Sequence, residues 1–422
     1  MSLDFVIRGN IIYSKTISEL SINDSSYLVC KNGLSAGVFE SLPPEYSELP
    51  LFDFGDSLVI PGMSDLHLHA SQYAYRGTGM DMELLDWLNS YAFPEEHRFE
   101  EPEYAEKAYD IFVSDLVKSP TTRACIFATI HTPATLLLME KLEKSGLISF
   151  VGKVNMDRNS PSYLCEETQK SLEDTELWLK AAESFSAARP ILTPRFTPSC
   201  SDTLMEGLGR LQKKYGLPVQ SHLSENYSEI EWVKELCPST RDYGESYERY
   251  GLFGGGAPTI MAHCVHCPDS ELNRIKQAGV FIAHCPQSNT NIASGIAPVR
   301  RFLSEGISVG LGTDVAGGAN LSLFRSMADA VQVSKLRWRL VDDSLPALTL
   351  PEAFYMATLG GGSFFGKVGS FAQGYELDAV VLDDTSLAAA RPLSSRERLE
   401  RLTYLGGEQI VKAKFVFGKR IF

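Results

Sequence analysis

From residue 61 to about residue 340 the chain alternates short apolar runs with longer amphipathic segments, and it does so eight times. The apolar runs read as strands. They are the run that carries His67, then Arg123 to His131, Ile148 to Asp157, Pro190 to Phe196, Leu217 to Glu225, Pro258 to His266, Val280 to Pro286 and Ile307 to Asp314. The segments between them have helical period and length: Glu103 to Lys118, Pro133 to Ser145, Glu167 to Ala187, Asp202 to Tyr215, Asn226 to Leu236, Asp269 to Ala278, Pro298 to Ser304 and Leu321 to Leu340. Strand followed by helix, repeated in this way, predicts an α/β fold of the (β/α)8 TIM-barrel type, whose active site lies at the carboxyl ends of the strands.

The chain ends read differently. Leu3 to Ile7, Ile11 to Tyr13, Ser26 to Cys30, Leu51 to Asp53 and Leu58 to Ile60 are short strand signals separated by turns such as Arg8-Gly9-Asn10. The tail adds Ala379 to Leu382 and Val411 to Phe417. Neither end has enough strands to cover a sheet by itself. The two are therefore expected to join as a small β-sandwich domain, residues 1–60 with 368–422, beside a barrel of residues 61–367.

A net charge of -14 and the absence of any Lys/Arg run argue against a nucleic-acid partner, whose phosphates demand local positive charge. No apolar stretch approaches bilayer-spanning length, and the N-terminus lacks the features of a secretion signal, so a cytoplasmic protein is expected. Eight cysteines in 422 residues are not a disulfide framework. Cys264 and Cys267 form a C-x-x-C, but further ligands at suitable spacing are missing, and reduced buried thiols are the expected state.

The chemistry begins at His67 and His69. Residues two apart on a strand face the same side, so the two imidazoles converge. The ends of the other strands bring His131, Asp157, Arg195, Phe196, His222, Glu225, His263, His284 and Asp314 to the same rim. His67, His69, His222 and Asp314 can supply three nitrogens and one oxygen to a catalytic metal ion, zinc or Fe2+, with a position left for water. Glu225, three residues past His222, can lean over the ion and carry protons. His263 has two readings, one orienting the attacking hydroxide and one holding a ligand in place. His131, His266 and His97 read as structural, and His284 stands between the two classes.

The segments PGMSDLHLHASQYAYRG, WLNSYAFPEEHRF, TPRFTPSCS, QSHLSEN, MAHCVH, AHCPQSN and GLGTDVAGG resemble, in order, the motifs of the amidohydrolase superfamily and within it those of the guanine deaminases. The resemblance spans almost the whole chain. It implies a homodimeric zinc enzyme that converts guanine and water to xanthine and ammonia. By motif, His67, His69, His222 and Asp314 hold zinc and Glu225 shuttles protons. Gln72, Arg195 and Phe196 are the matched guanine-contacting positions, with His222 and Glu225 beside them. One metal per chain is expected, because the fourth strand ends in Pro194-Arg195-Phe196 without the lysine that bridges two metals in some members. In the implied mechanism Asp314 also acts as base, Glu225 protonates the ring nitrogen, and ammonia leaves. The competing readings are a deaminase of another small ring (cytosine, an adenosine-type nucleoside or a triazine) and a non-catalytic scaffold, which would have shed its metal ligands.

Overall fold

The computed structural model describes residues 3–407 and 410–422, and their fold is mixed α/β. The chain opens with β1 (Phe5–Ser14), β2 (Leu20–Lys31), β3 (Leu34–Phe39) and β4 (Leu51–Pro61). β1 pairs antiparallel with β2, β2 antiparallel with β3, and β4 runs parallel to β1. The turn read at Arg8-Gly9-Asn10 is instead a bulge inside one continuous strand, with the register shifting between Gly9 and Ile11. A side chain at Gly9 would meet the Val59 methyl at 2.7 Å, so glycine is what lets β1 approach β4 there.

The parallel strands follow: β5 (Met63–His69), β6 (Thr121–Phe127), β7 (Ile148–Gly152), β8 (Val154–Asn155), β9 (Ala188–Pro190), β10 (Thr193–Pro194), β11 (Val219–Leu223), β12 (Thr259–His263), β13 (Phe281–His284) and β14 (Val309–Leu311). They form two parallel sheets, in the orders β5-β6-β7-β9 and β11-β12-β13-β14, with β10 paired to β8. A parallel bridge between Leu192 and Val219 links one sheet to the other. At the opposite edges Asp314 N–H donates to the His67 carbonyl at 2.8 Å, and His69 N–H to that of Val315 at 2.9 Å. Between the strands Leu66, Cys125, Ile191, Ile260, Ala262 and Ala283 pack together, almost completely buried.

The chain ends with β15 (Ala379–Leu382), β16 (Val411–Val416) and β17 (Lys419–Arg420). β15 pairs with β4, which brings strands from both ends of the chain into the order β17-β16-β15-β4-β1-β2-β3. Where the sequence predicts a sandwich, the hydrogen bonding is therefore that of one seven-stranded sheet. The reason is that β4 is paired on both edges, to β1 and to β15, so the ladder has no break at which a second sheet could start.

The helices Asp202–Tyr215 and Asp269–Ala278 have the bounds expected from their period, whereas Thr168–Ala182 ends five residues before the expected Ala187. Strand β3 and the helix Ser395–Leu405 are additions to the expected elements. So is a run of short helical turns between Leu84 and Glu100, which matters for the site. Among the described residues no helix is long and apolar enough to cross a membrane. All eight cysteines are free thiols.

Candidate active site

The expected site residues lie just past the ends of the parallel strands more often than within them. β14 stops at Leu311 and β10 at Pro194, so Asp314, Arg195 and Phe196 sit on the loops that follow. The ladder breaks because the backbone turns left-handed at Ser224 (φ 48°), His263 (φ 74°), Cys264 (φ 50°) and Asp314 (φ 46°). Such conformations persist in bulky residues only when their surroundings enforce them. Asp65 does part of that for the last of these. Its carboxyl accepts from the backbone N–H groups of Thr313 and His67 and from the Thr313 hydroxyl at 2.5 Å, so β5 and the loop after β14 are held together.

His67, His69, His222 and His263 form a tight group, with the His67 ring centroid 5.0, 4.8 and 5.3 Å from the other three. Phe127 packs against His67, His69 and His222 and closes the apolar side of the group. Asp314 Oδ1 lies 3.2 Å from His67 Nε2 and 3.5 Å from His69 Nε2. The donor atoms of His67, His69 and His222 lie within 4.8 Å of one another, and so do those of His67, His263 and Asp314.

Hydrogen bonds settle the tautomers. His222 Nδ1 donates to the Arg195 carbonyl at 2.6 Å, which turns its Nε2 lone pair inward, and His263 Nδ1 donates to Asn289 Oδ1 at 2.8 Å, which leaves its Nε2 facing Glu225 and Asp314. Burial lowers the pKa of His67, His69 and His222 and keeps them neutral. For Asp314 burial acts upward, but His67, His263 and His69 outweigh it and hold its carboxylate well below the usual range. The Nε2 atoms of His67 and His263 are buried without a hydrogen-bond partner. Neutral imidazoles with inward lone pairs, orphaned nitrogens and one ionised carboxylate are a donor set that fits a divalent metal ion.

Around this centre lies a cavity. Glu225, 3% exposed, stands on it with Oε2 3.5 Å from His263 Nε2, while its Oε1 accepts from the Ser294 hydroxyl at 2.9 Å. Burial pushes the Glu225 carboxyl up to about 7. Gln72, Arg195 and Phe196 line the cavity as well, and Leu84, Trp87, Leu88 and Ile292 give it an apolar wall. Gln72 Nε2 donates to Glu96 Oε1 at 2.8 Å and Arg195 Nη1 to Glu96 Oε2 at 2.5 Å.

Every residue proposed from the sequence for metal, proton transfer or ring contact thus reaches one centre. His284 is buried but does not line the cavity. His131 and His266 do not line it either: the His131 ring lies 6.5 Å from that of His97, and His266 donates to the Ser294 carbonyl and stacks on Tyr227 at 3.9 Å. Glu96, Glu229, Trp87, Leu84, Leu88 and Ile292 escaped sequence reasoning. Two signals bore on them: Trp87, Leu88 and Glu96 lie in the matched segment WLNSYAFPEEHRF, which gave them no role, and Glu229 has the N-x-x-E spacing from Asn226 that marks a helix start.

A family model described as the amidohydrolase family matches residues 58–421. Guanine deaminase of Homo sapiens is 39% identical over 397 residues, covering 90% of this chain and 85% of that protein. Guanine deaminase of Dictyostelium discoideum is 35% identical over 445 residues, covering 99% and 98%. Among solved structures, guanine deaminase from C. acetobutylicum with guanine bound in its active site superposes with a TM-score of 0.96 at 48% identity, over 99% of this chain and 100% of that one. With the family model spanning most of its length and these relatives matching nearly end to end, the chain belongs to the amidohydrolase family.

Proposed function

We propose that this protein is a guanine deaminase, which hydrolyses guanine to xanthine and ammonia in a closed (β/α)8 barrel of residues 61–367, packed against a composite terminal β domain of residues 1–60 and 368–422. The observation that carries the reading is the meeting of two unlike sets of groups at one cavity: buried metal donors with Glu225, and Arg195 and Gln72 with their N–H donors. The guanine deaminases it resembles match this chain over 90% to 99% of its length. A cytoplasmic homodimer with one zinc ion per chain, iron being the alternative occupant, completes the proposal.

His67, His69, His222 and Asp314 hold the ion. When bound it supplies the Lewis acidity that makes hydroxide available from water near neutral pH. Arg195 and Gln72 donate to the carbonyl edge of the base, Phe196 packs on its face, and Trp87 with Leu84 and Leu88 excludes bulk water. Asp314 and Glu225 take up the first proton of the attacking water as its oxygen bonds to the carbon that bears the exocyclic amine, and Glu225, with a carboxyl poised near neutrality, delivers it to the adjacent ring nitrogen. The second proton of that water passes through Glu225 from the new hydroxyl to the amine as the oxygen becomes a carbonyl. The carbon–nitrogen bond breaks and ammonia departs. His263 orients the attack from beside Glu225.

Purified protein carrying about one equivalent of zinc is expected to turn guanine into equal amounts of xanthine and ammonia, with cytosine, adenosine and triazines turned over far more slowly. Glu225→Gln is expected to keep its metal and lose about 10²- to 10⁴-fold in kcat. Absence of xanthine with metal-loaded wild type, or near-normal turnover in Glu225→Gln, overturns the assignment.

A further inference from the structure

We propose that Glu96, which lies outside the cavity lining, is a positioning residue that makes the recognition edge of the pocket a row of donors and so selects rings with a carbonyl there over rings with an amine. The proposal rests on the preceding reading that Gln72 and Arg195 contact the base.

Glu96 is 2% exposed, and its two oxygens serve two elements that the chain brings together from far apart. Oε1 accepts from Gln72, on the turn after β5, and Oε2 accepts from Arg195, on the loop after β10. The Gln72 amide is fixed at its other end too, because its Oε1 accepts from the Ala316 backbone N–H at 3.3 Å. An amide held this way has one orientation. Turning it over would set its oxygen against the Glu96 carboxylate and its N–H against another N–H, exchanging two hydrogen bonds for two contacts of like polarity. The second N–H of Gln72 Nε2 is then left for the cavity, which Gln72 lines.

Arg195 is a donor in any orientation, and the same helical turn fixes it. Phe93 and Glu96 both belong to Phe93–His97, and the Phe93 ring centroid lies 5.0 Å from the guanidinium carbon. Arg195 thus has a carboxylate on one flank and an aromatic face on another. The edge formed by Gln72 and Arg195 presents N–H groups to a ligand, while the acceptor oxygens of Glu96 are turned onto those two residues. A 6-oxopurine brings acceptors to such an edge. A 6-aminopurine brings a donor and leaves buried N–H groups unpaired, which is the strongest kind of discrimination a small pocket has.

The substitution Glu96→Gln separates this role from simple support of the fold. An amide in place of the carboxylate still accepts from Arg195 through its oxygen, but it offers an N–H to Gln72. The Gln72 amide then makes one hydrogen bond in either orientation, to Ala316 in the one and to the new amide in the other, so its orientation is no longer fixed and it can place an acceptor on the recognition edge. The experiment compares guanine with 2,6-diaminopurine, which keeps the same departing amine but carries a second amine where guanine has its carbonyl. kcat and KM are measured for both on wild type, Glu96→Gln and Glu96→Asp, together with metal content. In Glu96→Gln the ratio of kcat/KM for guanine over 2,6-diaminopurine is expected to fall at least about tenfold, mainly through KM for guanine, with metal content unchanged. Glu96→Asp, which keeps a carboxylate, is expected to recover part of that ratio, and it carries the comparison by itself if Glu96→Gln does not fold. An equal loss on both substrates overturns the proposal alone. Wild type inert on guanine overturns the reading of the site and this proposal with it.

Discussion

His284, at the end of β13, is 1% exposed, and among the described residues neither of its ring nitrogens has a partner. Burial pushes the imidazole down to about 3, with His263 adding to the effect. In the unfolded chain the same group titrates near the ordinary histidine value of about 6.5. Below that value the unfolded chain binds a proton that the folded one refuses. The stability this histidine permits is therefore complete above about pH 6.5 and is lost as pH falls toward 3, at up to about 1.4 kcal/mol per pH unit. Replacing it with leucine removes that slope, so the stability of His284→Leu relative to wild type should improve by about 2 kcal/mol between pH 7 and pH 5. Urea unfolding at the two pH values measures the difference, and parallel losses in both proteins would contradict it. At this scale the sequence speaks unevenly. His67 and His69 are legible because strand parity forces them onto one face, whereas Glu95 and Glu96 are adjacent on a short turn with no period to tell them apart. The fold separates them: Glu95 pairs with Arg98 and Tyr104, while Glu96 turns inward to Gln72 and Arg195.

The helix Tyr227–Leu236 starts two residues after Glu225, and its first turn is what holds the proton-carrying residue in place. Asn226 accepts from Ser228 N–H at 2.9 Å. Glu229 reaches back in a capping box, its Oε2 3.2 Å from Glu225 N and 3.4 Å from Asn226 N, while its Oε1 accepts from the Tyr243 hydroxyl at 2.6 Å. A helix cap thereby becomes a clamp on the Glu225 backbone, one residue from the left-handed turn at Ser224. Glu229→Ala is expected to lower kcat by about 10- to 100-fold by loosening Glu225, and to cost about 1–2 kcal/mol of stability. Glu229→Gln, which retains an acceptor, should restore part of both. Full kcat in the alanine variant would show that Glu225 is held by something else. The helix and its cap are legible from N-x-x-E before an apolar period. That the same carboxylate also lines the cavity is not, because helical period gives a face but not what the face meets.

The two ends of the chain and the parallel strands between them are tied by charges that no local pattern connects. Arg123, on β6 and 2% exposed, donates through Nε and Nη2 to Asp378 at 2.7 and 3.0 Å, and through Nη2 to Glu376 at 2.7 Å. Asp378 also accepts from Phe417 N–H at 2.8 Å, and its carbonyl accepts from Gly62 N–H at the entrance to β5. Lys414, fully buried on β16, donates to the carbonyls of Leu116 and Thr121 on the other side of the same junction. The alternation of strands and helices was readable because each period is local. This junction was not, since Arg123 and Asp378 are 255 positions apart and each looks in sequence like an ordinary surface charge. Its energetics follow from burial. A carboxylate at 0% exposure that loses its guanidinium is an uncompensated charge in a medium that solvates it poorly, so Arg123→Met should destabilise the protein by about 3–5 kcal/mol. Adding Asp378→Asn removes the stranded charge and should return part of that loss, so the double variant should be more stable than the single one. Denaturant unfolding of wild type, single and double variants tests this directly, and a single variant within about 1 kcal/mol of wild type would mean that the sheet formed by the chain ends is held to the parallel strands by packing rather than by this ion pair.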